Sequence, residues 1–118
     1  MIKVAIVVLA DTETHESLGR VVNAMEAVKE FSEAGDEVQM IFDGAGSKWI
    51  GALSNPEHNY HGLYKSIKDK ISGVCDYCAN AFSVSDKVQA DGIPMMGEYE
   101  GHPSFRKLIT EGYQVITF

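Results

Sequence analysis

The stretch Lys3-Val4-Ala5-Ile6-Val7-Val8-Leu9-Ala10, ended by Asp11, decides the fold. It is a near-continuous aliphatic run rather than an alternating one. It therefore predicts a strand covered on both faces, the situation inside a parallel sheet. The run is far too short to span a bilayer, which takes about 20 residues. It also lacks the small-residue cleavage site of a secretory signal. After Asp11-Thr12-Glu13-Thr14, the apolar residues Leu18, Val21, Val22, Met25, Val28 and Phe31 recur three and four apart. That spacing lays one apolar stripe along an amphipathic helix. Asp11, Thr12 and Thr14 offer caps, Glu13 and Glu16 suit the positive helix start, and Gly35 ends the helix.

The same grammar continues outward. Val38 to Phe42 reads as a second strand, closed by Asp43-Gly44-Ala45-Gly46-Ser47, with a short helix from Trp49 to Leu53 broken at Asn55-Pro56. A helix is expected from His58 to Ile71, ended by Gly73, then a third strand over Val74–Cys78 and a helix over Ala79–Ala90. Ile93 to Met96 suggests a short fourth strand. Ser104 to Glu111 suggests a final helix with Pro103 in its first turn, and Tyr113 to Phe118 a closing strand. Strands separated by helices predict a single doubly wound α/β domain over residues 1–118, with a parallel sheet between helical layers. Trp49, Tyr60 and Tyr64 suit either core or an oligomer interface, core being the commoner fate.

Composition narrows the function classes. The chain has 118 residues, 45% hydrophobic, enough for a core without disulfides or a structural metal. Its formal net charge of −7 disfavours nucleic acid and anionic membranes as partners. Without a targeting signal, a cytoplasmic location is expected, where thiols stay reduced.

Ligands of open α/β sheets bind outside the carboxyl ends of the strands. The groups so placed are Asp11 with Thr12, Asp43 to Lys48, and Cys78 with Ala79 and Asn80. Cys75-Asp76-Tyr77-Cys78 has the C-x-x-C spacing, but with Cys75 inside a strand the two sulfurs point to opposite faces. That placement argues against a redox disulfide and leaves Cys75 as a small buried hydrophobe. Zinc normally takes four ligands, and there is no second C-x-x-C, so no metal is expected. Cys78 falls at the strand end before a helix, where the helix start favours a nucleophilic thiolate. The bland reading is that it too is merely packed. Asn80 could line the same rim or cap the helix.

Gly44 and Gly46 permit close backbone approach to an anion. The loop lacks the full Walker and dinucleotide patterns, and a plain βα turn is the simpler reading. Lys48 could offer a cation there. His58 and His61 share a helix face with only Glu57 nearby, too few ligands for a metal. His15 could reach the rim from the first strand's end, and His102 has no constellation around it in sequence.

In the order and spacing of these segments the chain resembles the DsrE/DsrF-like family of small sulfur-relay proteins. The likeness lies in Lys3–Leu9, Asn23, Gly35-Asp36-Glu37-Val38, Phe42-Asp43-Gly44-Ala45-Gly46, Cys78-Ala79-Asn80-Ala81 with Gly92-Ile93, and Glu111-Gly112-Tyr113-Gln114-Val115. The resemblance implies a three-layer α/β/α sandwich with a mainly parallel five-stranded sheet, assembled into homo-oligomers, often trimers or hexamers. It further implies sulfane sulfur carried as a persulfide on Cys78 and exchanged with a protein thiol donor or acceptor, with no cofactor. Asn80, Gly44, Gly46 and Asp11 are the accompanying binding candidates. Cys75 has no counterpart in the family's pattern. Two other readings stay open: a non-catalytic oligomeric binding or scaffold protein, and thioredoxin-like exchange through a Cys75–Cys78 disulfide.

Overall fold

Five strands hydrogen-bond in the order β4-β3-β2-β1-β5, all parallel, in a computed structural model that describes residues 1–118. The central β1 (Lys3–Val8) pairs in register with β2 (Glu37–Phe42) on one side and β5 (Gln114–Thr117) on the other. Val4 to Val8 are all buried, as the unbroken aliphatic run required. Between β1 and β2 runs α1 (His15–Glu33). Thr14 caps it by accepting the Ser17 N–H at 3.1 Å, and Gly35 leaves it at φ +83°. Its Val21, Ala24, Met25 and Val28 lie in the core.

Beyond β2 a 3-10 turn (Gly44–Lys48) leads into α2 (Trp49–Leu53), followed by α3 (His61–Ile67) and a second 3-10 turn (Lys68–Lys70). Then come β3 (Ile71–Cys75), α4 (Asp76–Ala81), α5 (Ser85–Ala90), β4 (Met95–Met96) and α6 (Phe105–Thr110).

Three boundaries depart from the sequence expectation. The helix expected over His58–Ile71 is shorter, and β3 begins at Ile71 and ends at Cys75, three residues earlier than expected. Gly73 does not end a helix. It lies within β3, where a Cβ would stand 2.5 Å from Met96 Cγ and 2.8 Å from the Pro94 carbonyl oxygen. Glycine there lets β4 approach. The helix expected over Ala79–Ala90 is two helices, parted where Ser83 takes φ +59°.

The two faces of the sheet are covered unequally. Val4, Ile6, Val8, Met40, Phe42 and Val74 pack against α1 to α5 in a core of 20 buried residues that includes Trp49 and Tyr64. The opposite face, Ala5, Val7 and Ile41, is roofed mainly by Leu108 of α6 with Met96, Tyr113 and Val115 alongside. The fold is an α/β sandwich, thick on one side and thin on the other. No helix is long and apolar enough to cross a membrane.

Candidate functional site

Four reactive side chains converge where the strands end: Asp43, Cys75, Cys78 and His102, whose potential ligand atoms all lie within 4.8 Å of one another. Asp43 comes first because β2 ends there. Its N–H continues the strand ladder to the Val8 carbonyl at 2.9 Å, while its Oδ1 accepts the Gly44 N–H at 2.8 Å. The Gly46 N–H closes the turn on the Asp43 carbonyl at 2.9 Å. A Cβ on Gly46 would sit 2.2 Å from the Val8 carbonyl oxygen, so this glycine serves close packing of the turn on β1. The N–H groups of Gly44 and Gly46 are thus both engaged within the turn.

The cysteine pair has a different geometry from the one expected. Cys75 is the last residue of β3 and also the N-cap of α4, so the chain turns between the two cysteines instead of running extended. The Cys78 N–H donates to Cys75 Sγ at 3.4 Å, which brings the two sulfurs to the same corner. The opposite-face argument fails because it assumed a strand continuing to Cys78. Cys75 is fully buried and Cys78 is partly exposed. Burial pushes the Cys75 thiol well above its ordinary value; the neighbouring Cys78 thiol and Asp43 carboxylate act in the same direction, while the Cys78 N–H opposes them. The Cys78 thiol donates to Asp43 Oδ1 at 3.6 Å. At six residues, α4 is too short to be credited with much of a dipole, and the Asp43 contact is the more specific feature.

His102 is the member that the sequence reading left without a constellation. It closes the hairpin Tyr99-Glu100-Gly101-His102 through reciprocal backbone bonds of 2.9 and 2.8 Å. Glu100 at φ +50° and Gly101 at φ +85° form a mirror-image turn with both central residues left-handed. The Gly101 carbonyl accepts the Tyr77 N–H at 2.9 Å, latching the hairpin to α4. The Tyr77 and His102 rings lie 4.8 Å apart. His102 Nδ1 then stands 3.3 Å from Cys75 Sγ. The only sequence signal was the Glu100-Gly101 pair, a two-residue turn cue between Tyr99 and His102. Beside the cluster opens a pocket of about 520 Å³ bordered by Asp43, His102, Tyr99, Phe105 and Arg106.

The remaining candidates lie away from this cluster. Asp11 pairs with Lys48 at 2.6 Å, and that bond together with the Thr12 N–H holds its carboxyl below the usual range. Asn80 donates its amide to the Asp76 carbonyl at 3.0 Å and accepts from Ser85 Oγ at 2.8 Å, which fixes the α4–α5 corner. His15 and His58 border a separate pocket with Trp49, and His61 Nδ1 lies 2.7 Å from the Leu53 carbonyl oxygen.

Comparison with known proteins places this geometry in context. The chain is 30% identical over 87 residues to the uncharacterised protein MJ0733 of Methanocaldococcus jannaschii, covering 74% of this chain and 70% of that one. Its fold is similar to that of BT1422, a conserved protein of unknown function from Bacteroides thetaiotaomicron. That likeness has a TM-score of 0.63 at 17% identity and covers 97% and 94% of the two chains. The DsrE/DsrF-like family model matches residues 3–118, and the chain belongs to that family.

Proposed function

We propose that this protein carries sulfane sulfur as a persulfide on Cys78 and passes it to a partner protein's thiol. The observation that carries the reading is the inequality of the two thiols. Cys78 alone is partly exposed, and its S–H points at a carboxylate, Asp43, on the border of an open pocket. Loading exchanges one proton and one sulfur atom. Cys78 attacks the outer sulfur of a donor R–S–SH as Asp43 takes its proton. The S–S bond of the donor breaks, and R–S⁻ leaves to be protonated as R–SH. Unloading repeats the exchange with an acceptor thiol attacking the terminal sulfur. Arg106 on the pocket border supplies a cation suited to an anionic donor. Membership of a sulfur-relay-related family supports the same chemistry.

Incubation with a persulfide donor followed by intact-mass measurement tests it. Wild type and Cys75→Ser should each gain one sulfur atom, and Cys78→Ser should gain none. The reading fails if wild type gains no sulfur, or if Cys78→Ser gains it equally.

One observation favours a second reading. The Cys78 N–H on Cys75 Sγ brings the sulfurs close enough for a reversible disulfide after modest rotation of the side chains. Thiol counting after mild oxidation and re-reduction distinguishes thioredoxin-like exchange from sulfur carriage. Homo-oligomeric assembly belongs to the same proposal. The exposed Phe105 and Ile109 of α6, the helix on the thin side of the sheet, support it, and light scattering on the purified chain would read the subunit number.

A further inference from the structure

The sulfur-exchange chemistry uses Cys78 and Asp43 and leaves His102 and the buried Cys75 without a task. Their placement is nonetheless fixed by several independent contacts. A left-handed two-residue turn, a backbone latch to Tyr77 and a ring contact with Tyr77 all bring His102 Nδ1 to Cys75 Sγ. The four groups arrive from three separate places: the end of β2, the β3–α4 corner, and the hairpin before α6.

Their chemistry is that of a borderline-soft divalent cation. Two thiols and an imidazole suit zinc and do not suit magnesium or calcium, which take oxygen ligands. Zn–S bonds of about 2.3 Å and Zn–N bonds of about 2.0–2.1 Å put tetrahedral ligand atoms roughly 3.4–3.8 Å apart. The structure has His102 Nδ1 at 3.3 Å from Cys75 Sγ and Asp43 Oδ1 at 3.6 Å from Cys78 Sγ. Supporting bonds are also in place. The Gly44 N–H holds Asp43 Oδ1, and the Cys78 N–H is directed at Cys75 Sγ, where it would stabilise a bound thiolate. The other histidine group, His58 and His61 with Glu57, shows no such convergence: His61 Nδ1 lies against the Leu53 carbonyl and His58 Nδ1 accepts the Tyr60 N–H.

We propose that Asp43, Cys75, Cys78 and His102 form a tetrahedral zinc-type metal site. Each thiol that binds releases its proton, so the metal and a sulfane sulfur compete for Cys78. Occupancy of this site stands apart from the sulfur-carrier reading, because its test involves no sulfur donor. The full chain, reduced with a phosphine and stripped with a chelator, is titrated with Co²⁺ as the optical probe. Expected are thiolate-to-cobalt charge-transfer absorption in the near ultraviolet and tetrahedral bands in the visible, saturating at one equivalent and bleached by Zn²⁺.

His102→Asn, half-buried in a hairpin outside the core, should remain folded by circular dichroism and weaken cobalt binding by at least about tenfold, the low end of what losing even a supporting partner costs. Cys75→Ser should abolish the charge-transfer band or reduce it, and its fold is checked in the same way. The proposal is overturned if reduced wild type shows no charge-transfer band. It is overturned equally if His102→Asn binds cobalt with unchanged affinity and spectrum, which would mean the cysteine pair binds alone. Failure of sulfur loading on the metal-free chain would leave these optical results standing, so the two readings fail separately.

Discussion

Gly46→Ala is the sharpest perturbation of the scaffold beneath the site. The added Cβ would lie 2.2 Å from the Val8 carbonyl oxygen and 2.8 Å from its carbon, both rigid backbone atoms in the central strand. Ordinary contact begins near 3.4 Å, so the 3-10 turn has to retreat from β1 by about an ångström. That retreat overpacks a filled interior, which costs about 1–3 kcal/mol. It also strains the Asp43 N–H bond to the same Val8 carbonyl, a buried bond whose loss costs about 1 kcal/mol more. An entropy of unfolding of about 2 cal/mol/K per residue turns a loss of about 2–4 kcal/mol into a fall in Tm of roughly 8–16 °C for this length. Thermal melting followed by far-ultraviolet circular dichroism reads it. Gly19→Ala is the control, since nothing lies within 4 Å of its added Cβ on the exposed face of the second turn of α1. It should raise stability by about 0.5–1 kcal/mol. A Gly46→Ala protein melting within about 3 °C of wild type would refute the packing argument.

Asp43→Asn removes the proton acceptor beside Cys78 and should slow sulfur loading roughly 100-fold, measured by the rate of mass gain; an unchanged rate would take Asp43 out of the chemistry. Tyr64, buried, donates its hydroxyl to the Asp91 carboxylate, and burial pushes its pKa far above 10. The folded state then keeps a proton that the unfolded chain releases, so stability present below pH 10 falls above it by up to about 1.4 kcal/mol per pH unit. Denaturant titrations on an alkaline series should show that loss in wild type and a flatter limb in Tyr64→Phe; parallel limbs would contradict it. Gly101→Ala must hold φ +85° with a side chain whose Cβ meets Tyr77 Cβ at 3.4 Å. It should open the hairpin by about 1–2 kcal/mol, speeding exchange of the His102 amide roughly 5–30-fold while the global Tm hardly moves. Exchange no faster than in wild type would show that the turn needs no glycine.

The fold was legible wherever burial wrote itself as an aliphatic run. Lys3–Leu9 announced a strand covered on both faces, and Val4 to Val8 are indeed buried. The stripe from Leu18 to Phe31 announced α1, and three of its four core residues, Val21, Met25 and Val28, belong to that stripe, Ala24 being the fourth. Gly73 misled because a glycine needed for close approach of a neighbouring strand reads the same as one that ends a helix. That error moved β3 by three residues and turned Cys75 from an inert strand residue into the N-cap beside Cys78. The strand-end rule placed Asp43 and Cys78 on a common rim, and they touch. His102 was beyond reach for a physical reason. Its contact with Cys75 spans 27 residues and depends on a turn and a latch to Tyr77 that have no periodic signature. Asp11 follows the first strand as expected, whereas Asn80 lies near the C-terminal end of α4 because β3 ends early, and each is tied to other partners, Lys48 for one and Asp76 with Ser85 for the other.

One short segment performs two jobs. Gly97 to Tyr113 delivers His102 to the cluster and, three residues after it, starts the helix whose Leu108 roofs the thin face of the sheet. Ser104 ties the two together, with its N–H on Glu98 and its Oγ accepting the Lys107 N–H. Site and roof are therefore held by one continuous stretch of backbone. Coupling of this kind is reciprocal. An occupant of the cluster that orders this stretch would steady the roof, and a surface that covers α6 and orders the same stretch would raise the affinity of the cluster for that occupant by the same factor. A thin sheet face, which looks like a structural economy, would thereby give a neighbouring surface a handle on the cysteine cluster.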